Sequence, residues 1–293
     1  MTADAGRERA SSVSSELTIV VPVRNGAAFL QDCLASLLAE RPAEIIVVDG
    51  CSTDGTLDIL GSYPVRVLSD GGRGVAAARL LGAQAAQTPW IALVDVDVVV
   101  EPGDLACLLE EAIESPYTAL QAGLESTSGP GYWGRALVHH HRTGRSRHWF
   151  GLAATVFDRD AFLRHGLDET FLSGEDIELR LRLEQDGARF GVSSRTIVSH
   201  RFGDTFDFAK GQFLADGAGL ARTALKHGWR AAPLLALPSA AAARGAALSV
   251  VRREPQWLPY YVAFLVFNWL GMARQLTGTL VQRGDRSHGT TND

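Results

Sequence analysis

Apolar residues fall in short unbroken blocks through the first hundred positions. Leu17–Val23 (LTIVVPV), Glu44–Val48 (EIIVV), Val65–Leu68 and Trp90–Val94 (WIALV) are short and rich in β-branched residues, so each predicts a buried strand. Between them, over Ala28–Leu38, Thr56–Leu60 and Val75–Gln87, apolar positions recur at helical spacing. Strand and helix in strict alternation imply an α/β fold: a mostly parallel sheet with helices on both faces. Such sheets gather their ligands outside the carboxyl ends of the strands. Asn25, Asp49, Asp54 and the pair Asp95 and Asp97 all follow strand ends and are expected to converge on one crevice.

Farther along, Glu101-Pro102-Gly103-Asp104 opens another helix with acids in its first turn. Beyond Ser115 the pattern loosens. Residues 125–150, rich in Gly, Ser, His and Arg, read as a loop region that carries a solvated His139-His140-His141 run. That run and Trp149-Phe150-Gly151 are expected on the acceptor side of the crevice. Ala153–Phe157 reads as a strand, Arg159–His165 as a short helix, Ile177–Gln185 as a charged helix and Thr196–His200 (TIVSH) as a last strand.

After Arg222 the composition shifts. Ala231–Val251 is rich in Ala and Leu but interrupted by Pro233, Pro238 and Arg244, whereas Trp257–Met272 is more apolar and has aromatics at both ends. As a helix the latter would measure about 24 Å, short of the roughly 30 Å hydrocarbon core of a bilayer. Its aromatic flanks and the basic excess around it (Lys226, Arg230, Arg244, Arg252, Arg253, Arg274, Arg283, Arg286) suit a helical membrane-associated tail on an anionic leaflet. The expected organisation is a disordered N-terminal tail over 1–15, an α/β catalytic domain over 16–221, a helical membrane-associated region over 222–283 and a disordered tail over 284–293.

Composition narrows the classes. With 46% hydrophobic and 21% charged residues the chain folds, and its net charge of -5 gives a nucleic-acid partner no global attraction. Three cysteines without C-x-x-C spacing argue against a disulfide framework or structural zinc, and read as small, inert, mostly buried residues. The first fifteen residues hold no apolar signal-type run, so a cytoplasmic location is expected.

The chemistry lies in the carboxylates. Asp95 and Asp97 at a strand end can reach one space, and two acids beside an anionic ligand repel it unless a divalent cation sits between them. Oxygen coordination of that kind suits magnesium or manganese; a solvated turn is the plain alternative. Glu175-Asp176 opens a helix, as a cap or as a general base. His200 ends the last strand, as a metal ligand or as a structural residue. Gly72-Arg73-Gly74-Val75-Ala76-Ala77 matches G-x-G-x-x-A, which raises an NAD(P)-dependent oxidoreductase as an alternative. That fingerprint belongs at a first βα turn, however, and here it follows the third strand and leaves the acids without a task. A nucleotidyltransferase would carry a glycine-rich basic loop after the first strand, where this chain has Val23-Arg24-Asn25.

Five pieces in order, VVPVRN, VVDGCSTDGT, the glycine turn with AAAR, WIALVDVD and FLSGEDIELRLRL, resemble glycosyltransferase family two, with its GT-A fold, over Leu17–Phe213. The resemblance implies that Pro22, Val23 and Asn25 line a nucleotide pocket and that Asp49 accepts a hydrogen bond from the uracil ring. Arg73 and Arg79 would lie near the base and diphosphate, and Asp95 would face the ribose. Asp97 would bind the metal with His200 as a further ligand, and Asp176, with Glu175 beside it, would be the catalytic base. It implies a UDP-sugar donor, transfer with inversion and manganese or magnesium as cofactor; the membrane-associated tail in turn suggests a lipid-linked glycan acceptor at the cytoplasmic face of the cell membrane, with a soluble small-molecule acceptor as the alternative. Two departures stand out. Arg79-Leu80 replaces a frequent Arg-Asn, and Gly211-Gln212-Phe213 stands where processive synthases carry Q-x-x-R-W, so one sugar per encounter is expected.

Overall fold

The computed structural model describes residues 15–115, 117–144 and 149–288, with side chains as far as 278. The chain forms two compact units, each built from separate stretches of sequence. One holds residues up to 127, 145–170 and 178–202; the other holds 128–144, 171–177 and the chain from 203 onward.

The first unit is an eight-stranded sheet in the order β3-β2-β1-β4-β7-β6-β8-β5. Its strands are β1 (Leu17–Val23), β2 (Glu44–Asp49), β3 (Arg66–Ser69), β4 (Trp90–Val94), β5 (Val98–Val99), β6 (Ala119–Ser128), β7 (Ala154–Asp158) and β8 (Phe190–Phe202). β3, β2, β1 and β4 run parallel, as the alternating pattern predicts. The other half corrects the expectation of a mostly parallel sheet, because β7 pairs antiparallel with β4, β6 with β7 and β5 with β8.

Helices α1 (Ala27–Ala39) and α4 (Asp104–Glu114) cover one face; α3 (Val75–Ala85) and α6 (Arg159–His165) cover the other, and the short α2 (Thr56–Leu60) follows β2. Alternation along β1 divides its side chains between them. Ile19 and Val21 join Leu30, Leu34 and Leu37 of α1, while Val20 joins Ala76, Ala78 and Ala83 of α3. Each fully buried leucine contributes roughly 1.5–3 kcal/mol. The register sets Val23 beside Asp49 and Asp49 beside Ser69, so three loops leave the sheet at one edge.

The second unit is helical: α5 (Tyr132–Thr143), the first residues of α7 (Glu175–Gln185), α8 (Phe206–His227), α9 (Leu237–Val251) and α10 (Leu258–His288). α8 and α10 cross closely through small residues. A Cβ on Gly217 would lie 2.0 Å from the Asn268 carbonyl oxygen, and one on Gly271 2.2 Å from that of Leu214.

Several local expectations change. Residues 132–143, read as loop because of their glycine and histidine content, form α5, whose buried Ala136 and Leu137 supply the packing that composition hides. His140 is packed among the rings of Tyr260, Tyr261 and Phe264 rather than solvated. Cys33 is buried, but Cys51 and Cys107 are exposed. α8 runs without a break over the boundary expected at 221, and α10 continues to His288, into the tail expected to be disordered from 284. Nothing in 273–288 other than Gly278 and Gly284 opposes a helix. The expected tail over 1–15 lies outside the described residues except for residue 15, as do residues 289–293.

Candidate active site

Three loops at the carboxyl edge of the parallel strands are laced together by short polar contacts. Gly50 N–H donates to the Val23 carbonyl at 2.8 Å. Asn25, in the left-handed region at φ 54°, donates its N–H to Ser52 Oγ and accepts from Thr53 N–H on Oδ1, both at 2.8 Å. Asp54 accepts from Ala27 N–H at 3.1 Å at the start of α1, and its hydrogen bond from the Thr56 hydroxyl holds its pKa below the usual range. Asp49 is 4% exposed, and both its carboxylate oxygens face Ser52 N–H, at 3.3 and 3.2 Å.

A cavity of about 100 Å³ opens among these loops, lined by Pro22, Val23, Arg24, Gly50, Asp70 and Gly74, with Val75 and Ala78 of α3 behind. Asp70 is the residue that sequence reasoning missed. It is 3% exposed and braces the glycine turn, accepting from Gly72 N–H at 2.7 Å and Gly74 N–H at 2.9 Å. Both glycines hold positive φ, 78° and 109°, which a side chain there would resist. Its only sequence signal is an acid immediately before the Gly71-Gly72 pair. Arg73 reaches outward from the same turn, donating from Nε to the Asp70 carbonyl at 2.9 Å and pairing with Glu169 at 3.1 Å.

Beside the cavity strands, β4 delivers the two aspartates. Arg79, buried on α3, forms an ion pair with Asp95. Burial raises the Asp95 pKa and the Arg79 charge opposes that rise without cancelling it, while Asp97 adds to it. Asp97 owes its neighbour to the two-residue strand β5: Val98 pairs with His200, and Arg201 N–H donates to the Asp97 carbonyl at 2.9 Å. His200 Nε2 thereby lies 3.4 Å from Asp97 Oδ2. Burial pulls the His200 pKa down, but its hydrogen bond to the Asp97 carboxylate and the Asp97 and Asp95 charges raise it on balance. Asp97 Oδ1 and His200 Nδ1 are buried without a hydrogen-bond partner. Two orphaned polar atoms in one cluster are costly unless something unseen satisfies them.

Glu175 and Asp176 belong to the second unit. Glu175 is buried, and Asp176 Oδ1 accepts from Ile177 N–H at 2.8 Å in the first turn of α7. Before them the Ser173-Gly174 turn crosses α8 so tightly that a Cβ on Gly174 would lie 2.9 Å from Gly219 Cα. One turn earlier on α8, Asp216 keeps exposed surface, while loss of hydration on its protein-facing side, followed by the Asp176 and Glu175 charges, pushes its pKa up. Sequence reasoning passed over it, although it is a lone acid among alanines and glycines.

A family model, Glycosyl transferase family 2, matches residues 18–171, more than half of the chain. The chain belongs to that family. Among curated relatives, the succinoglycan biosynthesis protein ExoO of Rhizobium meliloti is 30% identical over 201 residues, 60% of this chain and 58% of that protein. A pre-mycofactocin glycosyltransferase of Mycobacterium tuberculosis is 30% identical over 209 residues, 63% of this chain and 42% of that protein. The chain thus spans about half the length of these two relatives. Among solved structures, a mannosyltransferase from Pyrobaculum calidifontis in complex with GDP-Man and Mn2+ superposes with a TM-score of 0.61 at 18% identity, covering 88% of this chain and 87% of that one. That likeness establishes the fold. The family 2 chain has the GT-A architecture expected from its sequence.

Proposed function

We propose that this family 2 chain is a metal-dependent, inverting glycosyltransferase that moves one sugar from a nucleotide diphosphate donor to an acceptor hydroxyl. The observation that carries the reading is the Asp97–His200 pair with its two orphaned buried atoms, beside the cavity at the strand ends. One carboxylate and one imidazole fit a magnesium or manganese ion that takes its remaining ligands from substrate phosphates and water. Among the described residues no group of three or more potential ligands gathers, which suits a site completed by the donor rather than a closed protein cage. Such an ion would offset charge growing on the leaving diphosphate. The Pyrobaculum mannosyltransferase, solved with GDP-Man and Mn2+, supports nucleotide-diphosphate-sugar and divalent-ion chemistry by fold, though with a guanine base.

The roles follow from residue chemistry. Pro22, Val23 and Asn25 shape the nucleotide pocket; Asp49, with lone pairs beyond its long contacts to Ser52, accepts from the base, uracil in this reading. Arg73 neutralises phosphate charge at the glycine turn, and Asp95, held by Arg79, faces the ribose. Asp176, with Glu175 beside it, takes the proton of the acceptor hydroxyl as that oxygen bonds to the anomeric carbon. The bond from that carbon to the diphosphate oxygen breaks, and the nucleoside diphosphate leaves from the opposite face. The acceptor is a lipid-linked glycan presented at the cytoplasmic face of the membrane, which the basic, apolar helices α9 and α10 support.

A thermal-shift panel of UDP-, GDP- and dTDP-sugars, with and without manganese, tests the reading, since a donor raises the melting temperature by binding the folded state alone. One donor family should stabilise the protein, and manganese should deepen the effect. Asp97→Asn should remove the manganese increment, and Asp176→Asn should abolish transfer while donor stabilisation survives. If no nucleotide sugar shifts the melting temperature in either condition, the reading is wrong.

A further inference from the structure

Helices α9 and α10 each present two apolar faces, and the protein uses only one of them. On α9, Pro238, Ala242, Gly245 and Ser249 are buried at the spacing of a single helix face. The opposite face, running through Ala240, Ala243 and Ala247, is exposed and ends in Val250 and Val251 at 64% and 77%. On α10 the stripe Val262, Val266, Trp269 and Leu270 is likewise exposed. Gly245 of α9 meets Tyr261, and Trp269 Nε1 donates to Ser239 Oγ at 3.0 Å, so the helices run antiparallel with their outward stripes adjacent. The same stretch of chain is basic. Between Gly228 and Gly278 the chain carries Arg230, Arg244, Arg252, Arg253 and Arg274 against the single acid Glu254, in a protein of net charge -5.

We infer that this paired face is a docking surface for an anionic phospholipid bilayer, with α9 and α10 lying in the membrane plane. The apolar stripes enter the acyl boundary and the arginines meet headgroup phosphates. A second copy fits less well, because a two-fold contact sets the same arginines against each other. A membrane crossing is disfavoured by packing. Ala232–Val251 is long and apolar enough, with a mean hydropathy of 1.6. Its other face is committed, however: a Cβ on Gly245 would lie 2.0 Å from the Tyr261 ring, and Arg244 Nη2 donates to the Thr143 carbonyl at 2.6 Å. Crossing would strip both contacts.

The inference deepens the membrane part of the proposed function and rests on nothing in its sugar chemistry. Full-length protein is sedimented with phosphatidylcholine vesicles with and without phosphatidylglycerol, beside the double variant Val251→Glu/Val266→Glu. Wild type should pellet with the anionic vesicles, weaken roughly tenfold or more on neutral vesicles or in high salt, and be released by alkaline carbonate. The double variant should lose roughly tenfold or more of its binding, because its new acids face lipid phosphates, while keeping wild-type melting and donor stabilisation. The inference is overturned by wild type that ignores anionic vesicles, a variant that binds as well as wild type, or carbonate-resistant retention, which marks a span. So too is a wild-type dimer that the variant splits without any vesicle binding, which marks a second copy as the occupant. Donor stabilisation that persists while vesicle binding fails would leave the transfer reading standing and remove this one alone.

Discussion

Replacing Asp70 by alanine should loosen the glycine turn that forms one wall of the cavity. The carboxylate accepts two backbone N–H groups, from Gly72 at 2.7 Å and Gly74 at 2.9 Å, and is itself 3% exposed. Hydrogen bonds to a charged acceptor are worth about 1.5–3 kcal/mol each. Gly72 lies at the surface, where water can take over its amide, so the low end applies and the loss comes to about 3 kcal/mol. With an unfolding entropy of about 2.1 cal/mol/K per residue over 293 residues, that is a fall in melting temperature of about 5 °C. Asp70→Asn keeps one acceptor oxygen but points an amide N–H at one of the two donors, so it should lose about half or more of that amount. Thermal denaturation of the three proteins, with donor-induced stabilisation measured in parallel, checks the ranking. An alanine variant melting within 1 °C of wild type would refute the claim that Asp70 organises the turn.

Arg79→Ala leaves Asp95 without its buried partner. Because the Asp95 carboxylate keeps partial solvent contact, the cost should be about 2 kcal/mol at neutral pH, below the range for fully buried pairs. The sign follows from protonation: the Arg79 charge and hydrogen bond hold the Asp95 pKa down, so their loss raises the folded-state pKa further above its unfolded value and the variant loses more stability than wild type as pH rises. The variant's deficit should therefore shrink as pH falls, in melts run across mildly acid pH. Asp216 obeys the same rule. Its pKa is raised above 3.8 but its surface is exposed, so solvent screens the effect and only a small contribution to stability declines as pH rises through the acid range. Asp216→Asn should gain on wild type from acid to neutral pH, and parallel melting curves at all pH values would refute it. Gly217→Ala drives a methyl to within 2.0 Å of the Asn268 carbonyl and should cost about 2–3 kcal/mol in urea denaturation, whereas a neutral result would deny the close helix crossing.

The parallel half of the sheet was legible because β1, β2 and β4 are buried on both faces, and full burial writes itself as unbroken apolar runs. β8 was read at less than half its length, since much of it is only partly buried and its polar positions resemble loop. α5 stayed hidden for a related reason: its histidines are packed by aromatic rings from residues more than a hundred positions later. No local pattern carries that information. Site chemistry divided the same way. Asp97 and His200 were proposed from motif order, and the structure sets them 3.4 Å apart. Asp70 and Asp216 carry no motif, and their surroundings are created only by folding. The division into two interleaved units was equally illegible, because short stretches such as 171–177 change allegiance without any change in composition.

The two-residue strand β5 has a bearing on biosynthesis. Its partner in β8 is made about a hundred residues later, so during translation the Asp97 carboxylate emerges long before the imidazole that will face it. A nascent chain that has released β1 through β4 can assemble the cavity side of the sheet while the Asp97–His200 side is still half built. A ligand that needs both sides would then find its site late and abruptly, once residue 200 has cleared the ribosome.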